Sequence, residues 1–153
     1  MATINAKLSV SSNISDYGLS ISKTMTMKKA GTLDGLELTT GLHRKSFLST
    51  NQVDLLTAGS GRADAVTASK ANKLYIKNLA TSATEYFTIG FGNSSGSGTH
   101  TATNGDATAF ELGRLYSGEF MIIPWLAVST TGDVTIAPSV ATEMNVEYMA
   151  FHE

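Results

Sequence analysis

Apolar and polar residues alternate along much of the chain, and a period of two residues is typical of β-strands. Residues 3–10 (TINAKLSV) place an apolar side chain at every second position. Residues 17–27 (YGLSISKTMTM) repeat the pattern, with Lys23 interrupting the apolar row. Further strand-like segments are KLYIKNL, EYFTIGF, AFELGRLY, DVTIAPS and MNVEYMAFHE. These segments predict an all-β fold: an antiparallel β-sandwich, jelly-roll-like, with an extended N-terminal arm.

The segments between these strands suggest how the chain is divided. STNQVDLLTAG, from Ser49 to Gly59, has an N-cap candidate at Thr50 or Asn51 and predicts one helical turn. ATSAT predicts a hairpin-type connection between two strands, and the polar residues 92–108 predict an exposed loop. We therefore expect an N-terminal arm over residues 1–57, swapped or packed on a neighbour, and a sandwich core over residues 58–153.

One apolar run, FMIIPW, is unusual for a small chain. Apolar residues at consecutive positions predict a strand covered on both faces, by the opposing sheet and by the arm or a neighbouring subunit. Pro124 has no N–H to donate and predicts an edge, a bulge or the end of pairing, which places Trp125 at the rim.

The last strand, MNVEYMAFHE, is also apolar on both faces. Two such strands expose more apolar area than one sandwich core hides, which favours a homo-oligomer. The residues that we predict to form the interface are Tyr17, Met25, Met27, Tyr116, Phe120, Ile122, Trp125, Met149 and Phe151.

Length and charge narrow the function classes. The 153 residues fit one domain, and a net charge of −2 argues against nucleic acid as a partner. No apolar run approaches the ~20 residues of a membrane-spanning helix, so we expect no membrane partner. The chain has no cysteine and begins without a signal-peptide pattern, which predicts synthesis in a reducing cytoplasm.

The candidate catalytic motifs are weak. Ser20 and Lys23 have the S-x-x-K spacing of serine acyl enzymes, but in a strand they point to opposite faces. GFGNSSG lacks the spacing and the following helix of a phosphate loop. The isolated histidines and the carboxylates form no ligand set; these are His43, His100, His152, Glu85, Glu111 and Glu119. We predict a protein that is not an enzyme and has no catalytic residues, cofactor or metal.

A carbohydrate-binding sandwich is an alternative. Sandwich lectins use exposed aromatic side chains and polar loops, and Trp125, Tyr116, Tyr86 and the 92–108 loop could supply them.

Several motifs together resemble the small virion proteins of tailed bacteriophages. These are KANKLYIKN, EYFTIGF, LGRLYSGEFMIIPW and TIAPSVATEMNVEYMAFHE, and the region GLELTTGLHRKSFLSTNQ also fits. The resemblance implies a β-sandwich protein, often a trimer, that acts as a capsid cement (decoration) protein on the virion. Its implied partners are itself and the major capsid protein or other virion proteins, and it transfers no catalytic residues. A station in the tail, neck or fibre is the alternative.

Overall fold

The computed structural model describes residues 3–12, 18–58, 72–92, 99–100, 109–127 and 132–153, and every regular element among them is a β-strand. All pairings between these strands are antiparallel. The strands are β1 (Asn5–Ser12), β2 (Leu19–Thr26), β3 (Leu38–Thr39), β4 (His43–Phe47), β5 (Gln52–Leu56), β6 (Asn72–Asn78), β7 (Tyr86–Gly92), β8 (Thr99–His100), β9 (Ala109–Tyr116), β10 (Phe120–Trp125), β11 (Asp133–Pro138) and β12 (Met144–His152). The predicted all-β fold class is confirmed.

Two five-stranded sheets form the sandwich. In the first, the order is β10-β6-β12, and β3 and β4 pair with different parts of the remaining edge of β12. In the second, the order is β8-β5-β11-β7-β9. The two strands β1 and β2 pair only with each other among the described residues and form a separate hairpin.

The core lies between the two sheets and follows from the alternation in each strand. In β6, Leu74 and Ile76 are fully buried, while Tyr75 between them and the flanking Lys73 and Lys77 are half-buried on the outer face. Burying each such side chain stabilises the fold by about 1.5–3 kcal/mol. The buried cluster comprises Phe47, Leu55, Leu74, Ile76, Phe87, Ile89, Leu115, Trp125, Ala127, Val134, Ile136, Met144, Val146 and Ala150.

The prediction of a helical turn after Thr50 is wrong. Residues Gln52–Leu56 form β5, which pairs with β11, and the Gln52 side-chain amide donates to Thr135 Oγ1 at 2.8 Å. Cap and stop residues act locally, whereas the ladder with β11 satisfies the same backbone groups over a long sequence separation. The predicted N-terminal arm, residues 1–57, includes β3, β4 and β5, which all belong to the two sheets.

The hairpin predicted around ATSAT is also absent, because β6 and β7 lie in opposite sheets. The buried Asn78 side chain stabilises this crossing. Its Oδ1 accepts from Ala80 N at 2.8 Å, and its Nδ2 donates to Leu115 O at 3.0 Å. A polar side chain at an inward position therefore links the first sheet to β9 of the second.

A tight turn at Ser117 and Gly118 carries the chain from β9 to β10, as predicted. Glu119 N donates to Tyr116 O at 3.0 Å, and Gly118 has φ of 78°, a conformation that favours glycine. The turn makes β9 and β10 edge strands of opposite sheets on the same side of the sandwich. Most of the predicted loop 92–108 lies outside the described residues.

Candidate functional site

The N-terminal hairpin is amphipathic. Its register runs from Asn5 opposite Thr26 to Ser12 opposite Leu19, and directly opposed residues share a face. One face carries the pairs Ala6–Met25, Leu8–Lys23, Val10–Ile21 and Ser12–Leu19. The other face is entirely polar, with the pairs Asn5–Thr26, Lys7–Thr24, Ser9–Ser22 and Ser11–Ser20.

The apolar face of the hairpin is open to solvent. Every residue of β2 is exposed, and the exposed fractions are 52% for Leu8, 39% for Val10, 52% for Leu19, 40% for Ile21 and 48% for Met25. A two-stranded ribbon has no second layer of its own and is marginally stable alone in water. A contiguous apolar face of this kind is a candidate interaction site.

The root of the hairpin is fixed to the rest of the molecule. Met27 and Leu36 are buried, and they are joined by a hydrogen bond of 2.7 Å from Leu36 N to Met27 O. Met27 N donates to Ile4 O at 2.9 Å, and Ala30 N donates to Glu153 Oε1 at 2.6 Å. The ribbon thus starts from an ordered base near the C-terminus.

A cavity of about 400 Å³ joins the hairpin to β10. On the β10 side, Phe120 is 57% exposed and Ile122 is 39% exposed, so the apolar surface continues from the ribbon onto the sandwich. The residues lining the cavity are Ala6, Lys7, Leu8, Lys23, Met25, Phe120, Met121 and Ile122. The charged groups at this cavity are the two lysines, which make the apolar groove electropositive at its rim.

Three of the nine predicted interface residues, Met25, Phe120 and Ile122, meet at this cavity. Met149 and Phe151 are half-buried in β12; Met149 is paired with Tyr75 of β6. Since Ile122 is also paired with Tyr75, it shares a cross-strand row with Met149 on the outer face of the first sheet.

The remaining four lie elsewhere. Tyr116 is 40% exposed on β9 of the other sheet, and Tyr17 lies outside the described residues. Met27 and Trp125 are buried within the chain at 2% and 3% exposure, so they are not part of an exposed surface.

The rim position predicted for Trp125 is wrong. Met121, Ile123 and Trp125 alternate with exposed residues along β10, so the indole points into the core and its Nε1–H donates to Gly132 O at 2.6 Å. Pro124 lies on the exposed face of this edge strand, as its missing N–H predicts. The buried indole also removes Trp125 from any sugar-stacking surface.

The outer face of the first sheet holds a charge network. Glu147 Oε2 accepts from Arg44 Nε at 3.1 Å and Arg44 Nη2 at 3.0 Å, while its Oε1 accepts from the Tyr75 hydroxyl at 3.2 Å. Burial, followed by this hydrogen bond and the carboxylate charge, raises the pKa of Tyr75 above its ordinary 10.0. With its carboxylate held by two partners, Glu147 stabilises the sheet face.

The candidate catalytic groups do not converge. Ser20 and Lys23 lie on opposite faces of the hairpin, as predicted from the strand pattern. His43 stacks on Tyr148 with ring centroids 5.5 Å apart, and Glu119 Oε2 accepts from Tyr116 N at 2.7 Å. Within the described ranges there is no group of three potential metal-binding side chains, and no helix there could cross a bilayer.

A second exposed apolar patch lies on β9, the edge strand of the second sheet. Phe110 is 72% exposed and Leu112 is 44% exposed, on either side of the exposed Glu111. Arg114 of the same strand lies over the Tyr86 ring, 4.5 Å from its centroid. This patch was not predicted, and its signal in the sequence is the pair of apolar residues that flank Glu111 in AFELG.

No protein-family model matches the chain, and no curated protein sequence matches it. Among solved structures, the chain is similar to the crystal structure of a Yersinia pseudotuberculosis-derived mitogen. The identity is 11% and the TM-score is 0.41, over 72% of this chain and 83% of that chain.

Proposed function

We propose that the protein is a structural protein of a bacteriophage virion, not an enzyme, and that it stabilises the capsid as an oligomeric cement protein. It acts by contact with copies of itself and with the major capsid protein or other virion proteins. The observation that carries the proposal is the anchored hairpin whose apolar face, from Leu8 to Met25, is exposed. The resemblance of the C-terminal strand motifs to small phage virion proteins supplies the virion context.

The hairpin has the properties that adhesion needs. Its apolar face gains free energy when another surface covers it, at about 25 cal/mol per Å² of apolar area. Its strand edges can add to a neighbouring sheet, where backbone hydrogen bonds give affinity and alternating side chains give specificity. A protein that binds only the assembled shell stabilises that shell by about 2.7 kcal/mol per site when its concentration is 100 times Kd.

The experiment adds purified protein to capsids assembled without it and measures bound copies and the thermal stability of the capsid. The test variant is Ile21→Asp, on the apolar face of the hairpin, and the matched control is Ser22→Asp, on the polar face. We expect capsid binding and stabilisation by wild-type protein and by the control, and loss of both with Ile21→Asp. Failure of wild-type protein to bind capsids contradicts the cement function.

The same surface suits a second candidate function, a structural station in the tail, neck or fibre. The apolar face of the hairpin can make protein contacts in the tail as well as on the capsid shell. The number of copies in purified particles separates the two: many copies indicate the shell, and the few copies of a ring or fibre indicate the tail.

A further inference from the structure

We propose that the apolar groove between the hairpin and β10 of one copy receives the edge strand β9 of a second copy. This contact rests on the proposed self-association and specifies its two surfaces. The groove is lined by Leu8, Met25, Phe120 and Ile122, and the occupant is the exposed segment around Glu111. The contact is heterologous, because the two copies use different surfaces.

The exposed areas match an interface of ordinary size. The exposed fractions on the hairpin and β10 amount to roughly 600 Å² of apolar surface, at the upper end of the patches found on monomers. On β9, Phe110 and Leu112 expose roughly 250 Å² more. If about 60% of an interface is apolar, the two patches together correspond to an interface of roughly 1,400 Å², which is within the standard range.

A carboxylate on β9 is complementary to the lysines at the groove. Lys7 and Lys23 are exposed at the groove, and Glu111 is the exposed carboxylate between Phe110 and Leu112 in the sequence of β9. Arg114, also on β9, lies against the Tyr86 ring and keeps its positive charge, so Glu111 is the group on this strand that can pair with a groove lysine. Two hairpins packed face to face place a positively charged groove against another, which disfavours that symmetric arrangement.

Backbone geometry favours the same contact. Strand β9 is the last strand of its sheet and pairs only with β7 among the described residues. An unpaired edge is a template for a strand from another chain, and β1 and β2 each have one edge without a partner in the described part of the chain. Because heterologous contacts repeat around an axis, the arrangement builds a closed ring when the rotation closes.

The test is a charge exchange in the full-length protein, with association measured by light scattering and sedimentation over a range of concentrations. The variants are Lys23→Glu, Glu111→Lys and the double exchange, and the control is Lys28→Glu, an exposed lysine away from the groove. We expect the wild type and control to associate, each single variant to bind about tenfold more weakly, and the double exchange to recover most of the loss.

Three results overturn the proposal: a monomeric wild type at tens of micromolar, single variants that associate like the wild type, or a double exchange that recovers nothing. Circular dichroism of each variant verifies that the sandwich is folded. Capsid binding is measured separately on the same proteins. Charge-dependent association without capsid binding supports this contact and contradicts the cement function. Capsid binding by a monomeric protein supports the cement function and contradicts this contact.

Discussion

The hairpin and the sandwich share the same alternation of apolar and polar residues, but the apolar side chains are exposed in the hairpin and buried in the sandwich. In β6, the apolar Leu74 and Ile76 are fully buried between two sheets. In β2, Leu19 and Ile21 occupy equivalent alternating positions and are 52% and 40% exposed. The difference is whether a second layer covers the apolar face. In the sandwich, each sheet covers the other, whereas no sheet of the described residues covers the apolar face of the hairpin.

This difference assigns separate roles to the two regions. The sandwich derives its stability from side chains buried between its sheets, so it can fold as a unit around one core. The hairpin beyond its Met27 and Leu36 root has few buried apolar contacts, which is typical of regions with low local stability. A partner that covers the hairpin therefore changes the stability of the hairpin far more than that of the sandwich.

The largest effect that we predict separates the two regions directly. Phe87→Ala removes a fully buried ring that packs edge-to-face on Phe47, with centroids 5.6 Å apart, and should cost about 3–5 kcal/mol of unfolding free energy. Ile21→Ala, on the exposed hairpin face, should cost about 0.5 kcal/mol or less. Chemical denaturation at concentrations where the chain is monomeric measures both.

The control for this comparison is the slope of each unfolding curve. Equal slopes in wild type and variants show that the midpoints report stability and not a changed unfolded state. An Ile21→Ala variant that is destabilised as strongly as Phe87→Ala contradicts the comparison, since it means that the hairpin face is covered within one chain.

Alternation predicted the strands well in both the hairpin and the sandwich. Residues 3–10 and 73–79 were predicted as strands, and the structure has strands at Asn5–Ser12 and Asn72–Asn78. The pattern could not predict which apolar face is buried, because burial depends on the arrangement of whole sheets. This is why Trp125, predicted at the rim, is buried, while Phe120 of the same run is exposed.

The other incorrect predictions relied on local sequence signals at positions where a partner that is distant in sequence determines the structure. The cap residues before Gln52 predicted a helical turn, but pairing with β11 makes the segment a strand. ATSAT has the length of a hairpin loop, yet Asn78 and its bonds to Ala80 and Leu115 accompany a crossing between sheets. For the candidate site, Met25, Phe120 and Ile122 were predicted, whereas Phe110 of β9 was not.

An intermediate effect concerns how closely the backbone packs in each region. A Cβ at Gly90, in β7, lies 2.8 Å from Phe110 O and 2.9 Å from Thr135 Oγ1, so Gly90→Ala must displace backbone. We expect a loss of about 1–3 kcal/mol of unfolding free energy. In the hairpin, a Cβ at Gly18 has its nearest contact, Ser12 O, at 3.8 Å, so Gly18→Ala should be neutral or slightly stabilising.

Thermal and chemical unfolding of both glycine variants measure this difference. The comparison needs wild type at the same concentration, because association of the hairpin raises apparent stability by mass action. Equal stability of the Gly90→Ala and Gly18→Ala variants contradicts the close packing of β7, β9 and β11 around Gly90.

The smallest effect is the pH dependence of Tyr75, which reports on the sandwich because β1 and β2 contain no tyrosine. Burial and Glu147 raise the pKa of Tyr75 in the folded chain above the 10.0 of an unfolded tyrosine. The folded state then holds its proton at pH values where the unfolded state releases it, so this contribution to stability is complete below pH 10 and is lost as pH rises through the folded pKa.

Tyr75→Phe removes the hydroxyl and its hydrogen bond, and should cost about 1 kcal/mol near neutral pH. The gap in unfolding free energy between wild type and Tyr75→Phe should therefore narrow as the pH increases above 10, with the common titration of the lysines cancelling in the difference. A gap that stays constant or widens over this range contradicts the raised pKa and the role assigned to Glu147.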